Sequence, residues 1–230
     1  MQAGNIHYRS GDDLPESVPV FPLQGALLLP GGQVPLNIFE PRYLAMVDEA
    51  MASNRIIGLI QPDLAEKPAE PGQELDENYR PNLSSVGCLG RITSYSETGD
   101  GRVLITLHGI CRFRMVEELN VKKPYRTCKI VPFLNDLSDP ADVDDVDRDA
   151  LLAAFRAYLE ANNLEADWEG IARADNAMLV NALSIMSPFG AAEKQALLEA
   201  PDLKTRAATL IAITEMILAR EQDDFDKRLQ

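Results

Sequence analysis

"VFPLQGALLLPGGQVPLNIFEPRY", residues 20–43, carries four prolines and three glycines inside one apolar run. So apolar a stretch belongs in a core, yet proline has no N–H to give to a ladder and is confined to strand edges, strand starts and bulges. The stretch therefore reads as short strands with sharp bends between them, the signature of a sheet that has to turn corners. At "EPRY" the period changes. Pro41 suits the first turn of a helix, and Tyr43, Leu44, Val47, Ala50 and Met51 recur at helical spacing through "PRYLAMVDEAMAS".

Beyond this point strand signals return. "RIIGLIQP" is a buried strand candidate, and Gln61 to Leu83 is polar, acidic and proline-bearing, an exposed and partly mobile loop. "VGCLGRITSYSETGDGRVLITLHG" gives two β-rich runs joined by the turn-prone "ETGDG". In "ICRFRMVEE", Cys111, Phe113 and Met115 alternate with Arg112 and Arg114, which predicts one apolar and one charged face. "YRTCKIVPF" is a last strand. The first 133 residues thus predict a bent, mainly antiparallel sheet closing on itself, with one helix inserted early.

The composition then shifts at "NDLSDPADVDDVDRDA", where seven aspartates lie between Asp136 and Asp149. Carboxylates at the start of a helical stretch cap it and favour its positive dipole end. The same spacing resembles a calcium loop, but the glycine at the sixth position and the glutamate at the twelfth are missing from every register, so no metal is expected. From residue 150 onward the chain is helical: Leu151, Leu152, Phe155, Tyr158 and Leu159 form one stripe, Met178, Leu179, Leu183 and Met186 a second. After the break at "SPFG" come a short helix, "AAEKQALLEA", and a long one that Asp202 can cap. Trp168 reads as a packing anchor. The predicted organisation is a flexible tail over 1–17, a β domain over 18–135, an acidic linker and cap over 136–149, and an α-helical bundle over 150–230.

Charge and composition narrow the function classes. The chain of 230 residues is 46% hydrophobic and 25% charged, as ordinary globular proteins are, and no stretch approaches the roughly 18 uninterrupted apolar residues needed to span a bilayer. The N-terminus has no apolar core of signal-peptide length, which predicts a cytoplasmic protein. Cys88, Cys111 and Cys128 are widely spaced in apolar runs and read as buried reduced thiols. A net charge of −14 repels phosphates and anionic membranes. Between residues 102 and 130, however, seven basic residues stand against two acids. Such a cluster is either a solvated outer face answering nearby carboxylates or a local anion site, for which Arg102, Arg112 and Arg114 are the candidates.

The search for catalytic motifs is negative. "GK" does not occur, so there is no GxxxxGK[ST] loop; G-x-S-x-G and H-E-x-x-H are also absent. Of the two histidines, His7 lies in the polar tail and His108 ends a strand with no nucleophile or orienting partner evident in the sequence. No cofactor is expected.

"FPLQGALLLPGGQVPLNIFEPRY", the helix after it, "IIGLIQP", "VGCLGRITSYSETGDGRVLITLHGICRFRM" and later "EKQALLEAPDLKTRAATL", taken in order, resemble the N-terminal substrate-binding domain of the Lon protease family over roughly residues 18–220. The resemblance implies an α+β fold: an N-terminal PUA-like β pseudobarrel with one inserted helix, then a C-terminal α-helical bundle. It also implies a non-catalytic module that recognises polypeptide, either apolar or unfolded segments or, as an adaptor in quality control, a separate protease. The full-length protease's ATPase and Ser-Lys peptidase modules have no counterpart up to Gln230, so the chain resembles stand-alone members of the family. Phe21, Leu23, Phe39, Arg42 and Tyr43 are the substrate-binding candidates, although core packing, helix capping and a local ion pair involving Glu40 account for the same residues. The alternative is an RNA- or nucleotide-binding protein, because PUA-like barrels often serve that purpose; an enzyme would rest on His108 alone.

Overall fold

A computed structural model of the chain describes residues 1–63, 80–138, 146–162 and 164–228. The polar loop expected between Gln61 and Leu83 and the centre of the aspartate run lie largely outside the described residues. The chain divides into two compact units, Met1–Asp139 with Phe189–Leu198, and Pro140–Pro188 with Glu199–Gln230.

The first unit is built on a six-stranded mixed sheet. Its strands are β3 (Ser17–Pro22), β4 (Gln33–Ile38), β5 (Ile56–Pro62), β6 (Leu83–Glu97), β7 (Val103–Glu118) and β8 (Arg126–Pro132), after a small hairpin of β1 (Gln2–Ala3) and β2 (Ile6–His7). The order is β4-β7-β6-β5-β3-β8, and β8 also pairs with β7, so the sheet closes as the sequence predicts. Among the described strand pairs only β3 and β5 run parallel, with Val20 opposite Gly58. Closure depends on the long β6–β7 hairpin. Its register slips at Leu89/Gly90 and Ile92/Ser94, and such irregularities bend a ribbon and raise its twist. The first half of β7 pairs with β4 and its second half with β8.

The opening stretch serves this geometry. Pro22 ends β3, Pro35 lies in β4 at the edge of the sheet, and the segment between them buries Leu27, Leu28 and Leu29. Gly31, at φ +77°, adopts a conformation side chains disfavour, and its N–H reaches the carbonyl of Gly109 at 3.0 Å. Inside the closed sheet the wholly buried Phe113 lies over Gly58 and Gly87; a Cβ on Gly87 would come within 2.5 Å of the Phe113 ring and 2.7 Å of the Leu59 carbonyl. Pro41 opens helix α1 (Pro41–Met51), which buries Tyr43, Met46, Val47 and Ala50.

Three features of this unit differ from expectation. The first residues are not a free tail: Ala3, Tyr8 and Leu14 join the cluster of Val18, Val20, Leu89, Phe113 and Cys128. Arg112 does not point outward with Arg114, but is only 4% exposed. A 3-10 turn over Leu134–Leu137 presents Asp136, which accepts from Arg112 Nε and Nη2, both at 2.8 Å, while Nη1 donates to the Leu198 carbonyl at 3.2 Å. Asp136 is thus the partner of a buried cation, not part of a linker. Finally, helix α5 (Ala191–Glu199), expected in the bundle, lies with the sheet through residue 198. The buried Gln61 carboxamide accepts from Gly25 N and donates to the Ala191 carbonyl and to Gln195 Oε1, and Gln195 in turn donates to the Val86 carbonyl. Polar pairing of this kind carries no hydropathy signal, which is why the helix reads as bundle in the sequence.

The second unit holds helices α2 (Arg148–Ala161), α3 (Trp168–Arg173), α4 (Asn176–Met186) and α6 (Leu203–Arg228). Asp147, Asp167, Asp175 and Asp202 cap them, each carboxylate accepting from a backbone N–H at 2.7–3.0 Å. No helix among the described residues is long and apolar enough to cross a membrane.

Candidate functional site

The sequence-predicted patch of the β unit is brought together in part. Phe21, from the end of β3, meets Tyr43, from the first turn of α1, edge to face with centroids 4.3 Å apart. Both rings are buried, and burial pushes the Tyr43 phenol above its ordinary range. Arg42 lies 4.6 Å over the Tyr43 ring and is ion-paired with Glu40 at 2.7 Å. Phe21 and Tyr43 therefore pin α1 to the sheet, while Leu23 is half-buried and bonded through its N–H to the Ile60 carbonyl. Phe39 is the exception at 61% exposed. It stands one place beyond the Ile38–Val103 pair, and exposed Leu104, paired with Asn37, faces the same outer side.

The three candidate anion contacts do not form one exposed cluster: Arg112 and Arg114 both lie against the Phe133 ring, at 5.2 and 5.7 Å, but Arg112 is buried. Arg102, in the β6–β7 turn, is exposed and paired with Asp100 at 3.3 Å. Arg112 is buried against Asp136. Arg114 is exposed opposite Val131 and lies 5.7 Å over the Phe133 ring. His108 is half-buried between Gln33 and Arg91 in the register, and burial lowers its pKa. The three thiols are buried, which pushes Cys111 up to about 12 and Cys128 to about 11. Thiols held so far above neutrality carry almost no thiolate. Among the described residues no three His, Cys, Asp or Glu side chains group to hold a metal.

A concavity lies in the helical unit. Phe155, Tyr158 and Leu159 of α2, the segment 164–167, Gly170 and Ile171 of α3, and Met178, Leu179, Ala182, Leu183 and Met186 of α4 line an open groove of about 530 Å³. That volume is within the range of ligand-binding clefts. Here the predicted second stripe is corrected. Leu179 and Leu183 are buried as expected, whereas Met178 is 62% and Met186 79% exposed. Met178, Ala182 and Met186 follow at i, i+4 and i+8, so a small residue separates two flexible ones along one helix face. The signal was present in the sequence: α4 reads "NAMLVNALSIM", with more apolar residues than a single buried face needs. Leu164 is also exposed, and Trp168 carries Arg156 at 4.6 Å over its ring.

A closed mixed sheet with one inserted helix and a helical unit after it places the chain among α+β proteins of the Lon N-terminal type. The chain belongs to the family of the ATP-dependent protease La (LON) substrate-binding domain, whose pattern matches residues 17–215. It is 29% identical over 211 residues to "Lon protease 2" of Sorangium cellulosum, a match covering 86% of this chain and 24% of that protein. The chain thus spans about a quarter of the length of that relative. Among the solved structures that share the fold are two Lon N-terminal domains. One is a Lon N-terminal domain protein from Xanthomonas campestris, with a TM-score of 0.59, 21% identity, and coverage of 85% of this chain and 97% of that one. The other is the N-terminal domain of Lon protease from the Mycobacterium avium complex, with a TM-score of 0.59, 20% identity, and coverage of 86% and 98%.

Proposed function

We propose that the chain is a polypeptide-recognition module that takes apolar segments of incompletely folded proteins into the groove of the helical unit, for delivery to proteolysis. The observation that carries this reading is the groove itself, an open apolar concavity with exposed methionines on α4. Methionine has an unbranched, polarisable side chain that repacks around unlike partners, which suits a surface that must accept many sequences. The family's substrate-binding description agrees with this role. The chain acts by binding, and whether the cutting machinery is in another protein or another part of the same one does not alter that role.

A second contact is proposed on the β unit, where exposed Phe39 and Leu104 share a face.

The test uses a fluorescein-labelled, unstructured apolar peptide titrated with the whole chain. Replacing Met178 and Met186 together with serine is expected to weaken binding about 10-fold or more, since burial of each is worth about 1 kcal/mol or above. Because both side chains are largely exposed, the melting temperature should hardly move. Undiminished binding in that variant overturns the groove as the site.

A further inference from the structure

We infer that the groove prefers apolar segments flanked by lysine or arginine, a specificity that rests on the groove being the recognition site. Of its described lining side chains only Glu165 and Asp167 are charged; both are acidic and both are exposed. No basic residue is among that described lining. The imbalance continues around it, since residues 146–188 hold seven acids and three bases.

The three bases lie outside that lining and are held by neutral groups of α3 and α4. Arg148 donates to Asn176 Oδ1 at 2.8 Å and to the Ile171 carbonyl at 2.7 Å. Arg156 is stacked on Trp168, and Arg173 donates through Nε to the Glu169 carbonyl at 3.2 Å. Asp167 and Asp175 are fixed by their helix caps, to Gly170 N and Met178 N, which holds two carboxylates beside the groove in set positions. Glu165 has no ion-pair partner among the described residues, so its charge faces solvent.

An apolar segment entering the groove brings its flanking residues to this rim, within the roughly 8 Å over which charges act at physiological salt. Basic flanks gain there and acidic flanks are repelled. The same rim rejects acidic segments, including those of a second copy of this chain, whose net charge is −14. The occupant is thus an apolar peptide stretch bracketed by cations. Two exposed pairs of ordinary strength amount to about a three- to ten-fold preference at low salt.

The experiment is fluorescence anisotropy with three labelled peptides that share one apolar core and carry paired lysine, serine or glutamate flanks. Each is titrated with the full chain at low and at moderate sodium chloride. The expected order of affinity is lysine, serine, glutamate, with about three- to ten-fold between lysine and serine at low salt, closing at high salt as the rim is screened. Glu165→Lys should shrink or invert the gap between the lysine and glutamate peptides. Equal affinities for all three, or a gap that survives both salt and Glu165→Lys, overturn the charge preference. In that case the groove reading still stands if the Met178→Ser, Met186→Ser double variant loses the serine-flanked peptide. If that variant binds all three as the parent does, or if no peptide binds the parent, both readings fall together.

Discussion

At the scale of single residues, Arg112–Asp136 is the most buried ion pair among the described residues. Its side chains are 5% and 10% exposed, and beyond the bidentate contact Nη1 donates to the Leu198 carbonyl. Such a pair adds little over an apolar substitute of the same shape, because both charges had to be stripped of water. Breaking it is another matter. Asp136→Ala leaves a guanidinium buried without its counter-charge and is expected to cost about 3–5 kcal/mol, whereas replacing both residues, Arg112→Met with Asp136→Leu, should recover part of that loss, the Arg112 backbone N–H still lacking the carboxylate it donates to at 2.9 Å. Urea unfolding of the two variants beside the parent gives the difference, and a double variant no more stable than Asp136→Ala would show that the charge is not the issue. The sequence did not reveal this pair. Alternation in "ICRFRMVEE" correctly put Phe113 inside, but period two knows nothing of what covers the outer face, and at Arg112 that face lies under the turn bearing Asp136. Tyr43 and Phe21 show the opposite case. They were legible as an apolar cluster, and only the 4.3 Å ring contact shows that they spend their surface on holding α1.

At the scale of elements, the closed sheet is a fit between one large ring and two missing side chains. Phe113 on β7 lies over Gly58 of β5 and Gly87 of β6, so three adjacent strands draw together around a single phenylalanine. Gly87→Ala forces a methyl against both the ring and the Leu59 carbonyl and is expected to destabilise by about 1–3 kcal/mol, as overpacked cores do. Phe113→Leu costs a similar amount through the cavity it leaves. Combined, the two should fall short of additivity by about 1 kcal/mol, because the smaller side chain makes room for part of the methyl. The backbone oxygen cannot yield, so rescue stays incomplete; strict additivity in thermal or urea unfolding would dissociate the glycine from the ring. Strands, α1 and the capped helices were readable because local chemistry decides them: Pro41 at a first helical turn, Asp147 and Asp202 before helical runs, glycines in the β6–β7 turn. Placement was readable only where an apolar face demanded it. Helix α5 is held by Gln61 and Gln195 and α4 keeps one apolar face open, and neither fact has a period.

At the scale of the whole molecule, the question is what the charge of −14 permits. The seven cations between residues 102 and 130 suggested an anion site, and the structure shows how four of them are answered: Arg102 by Asp100, Arg112 by Asp136, Lys123 by Glu49 and Arg126 by Glu118. The Glu49 carboxyl also accepts from the Tyr125 hydroxyl, and with Lys123 these bonds lower its pKa. Arg114, Lys122 and Lys129 remain without an ion pair among the described residues, and Lys129 stands opposite Glu117 in the register. A nucleic-acid surface gains affinity by releasing counterions from several phosphates at once, and three cations on a polyanion release few. A labelled single-stranded RNA is therefore expected to show no saturable binding at micromolar protein in about 150 mM salt, close to the weak limit of non-specific contacts. Saturable binding with a steep fall against salt, reduced by Arg114→Ala, would reverse the assignment. The same titration bears on recognition from the other side, because the net charge of −14 has the sign of the acidic rim of the groove. On the proposed reading, a chain so charged repels other polyanions and takes cation-bearing apolar segments at the groove, with selection set by the charge of the molecule and capture by α4.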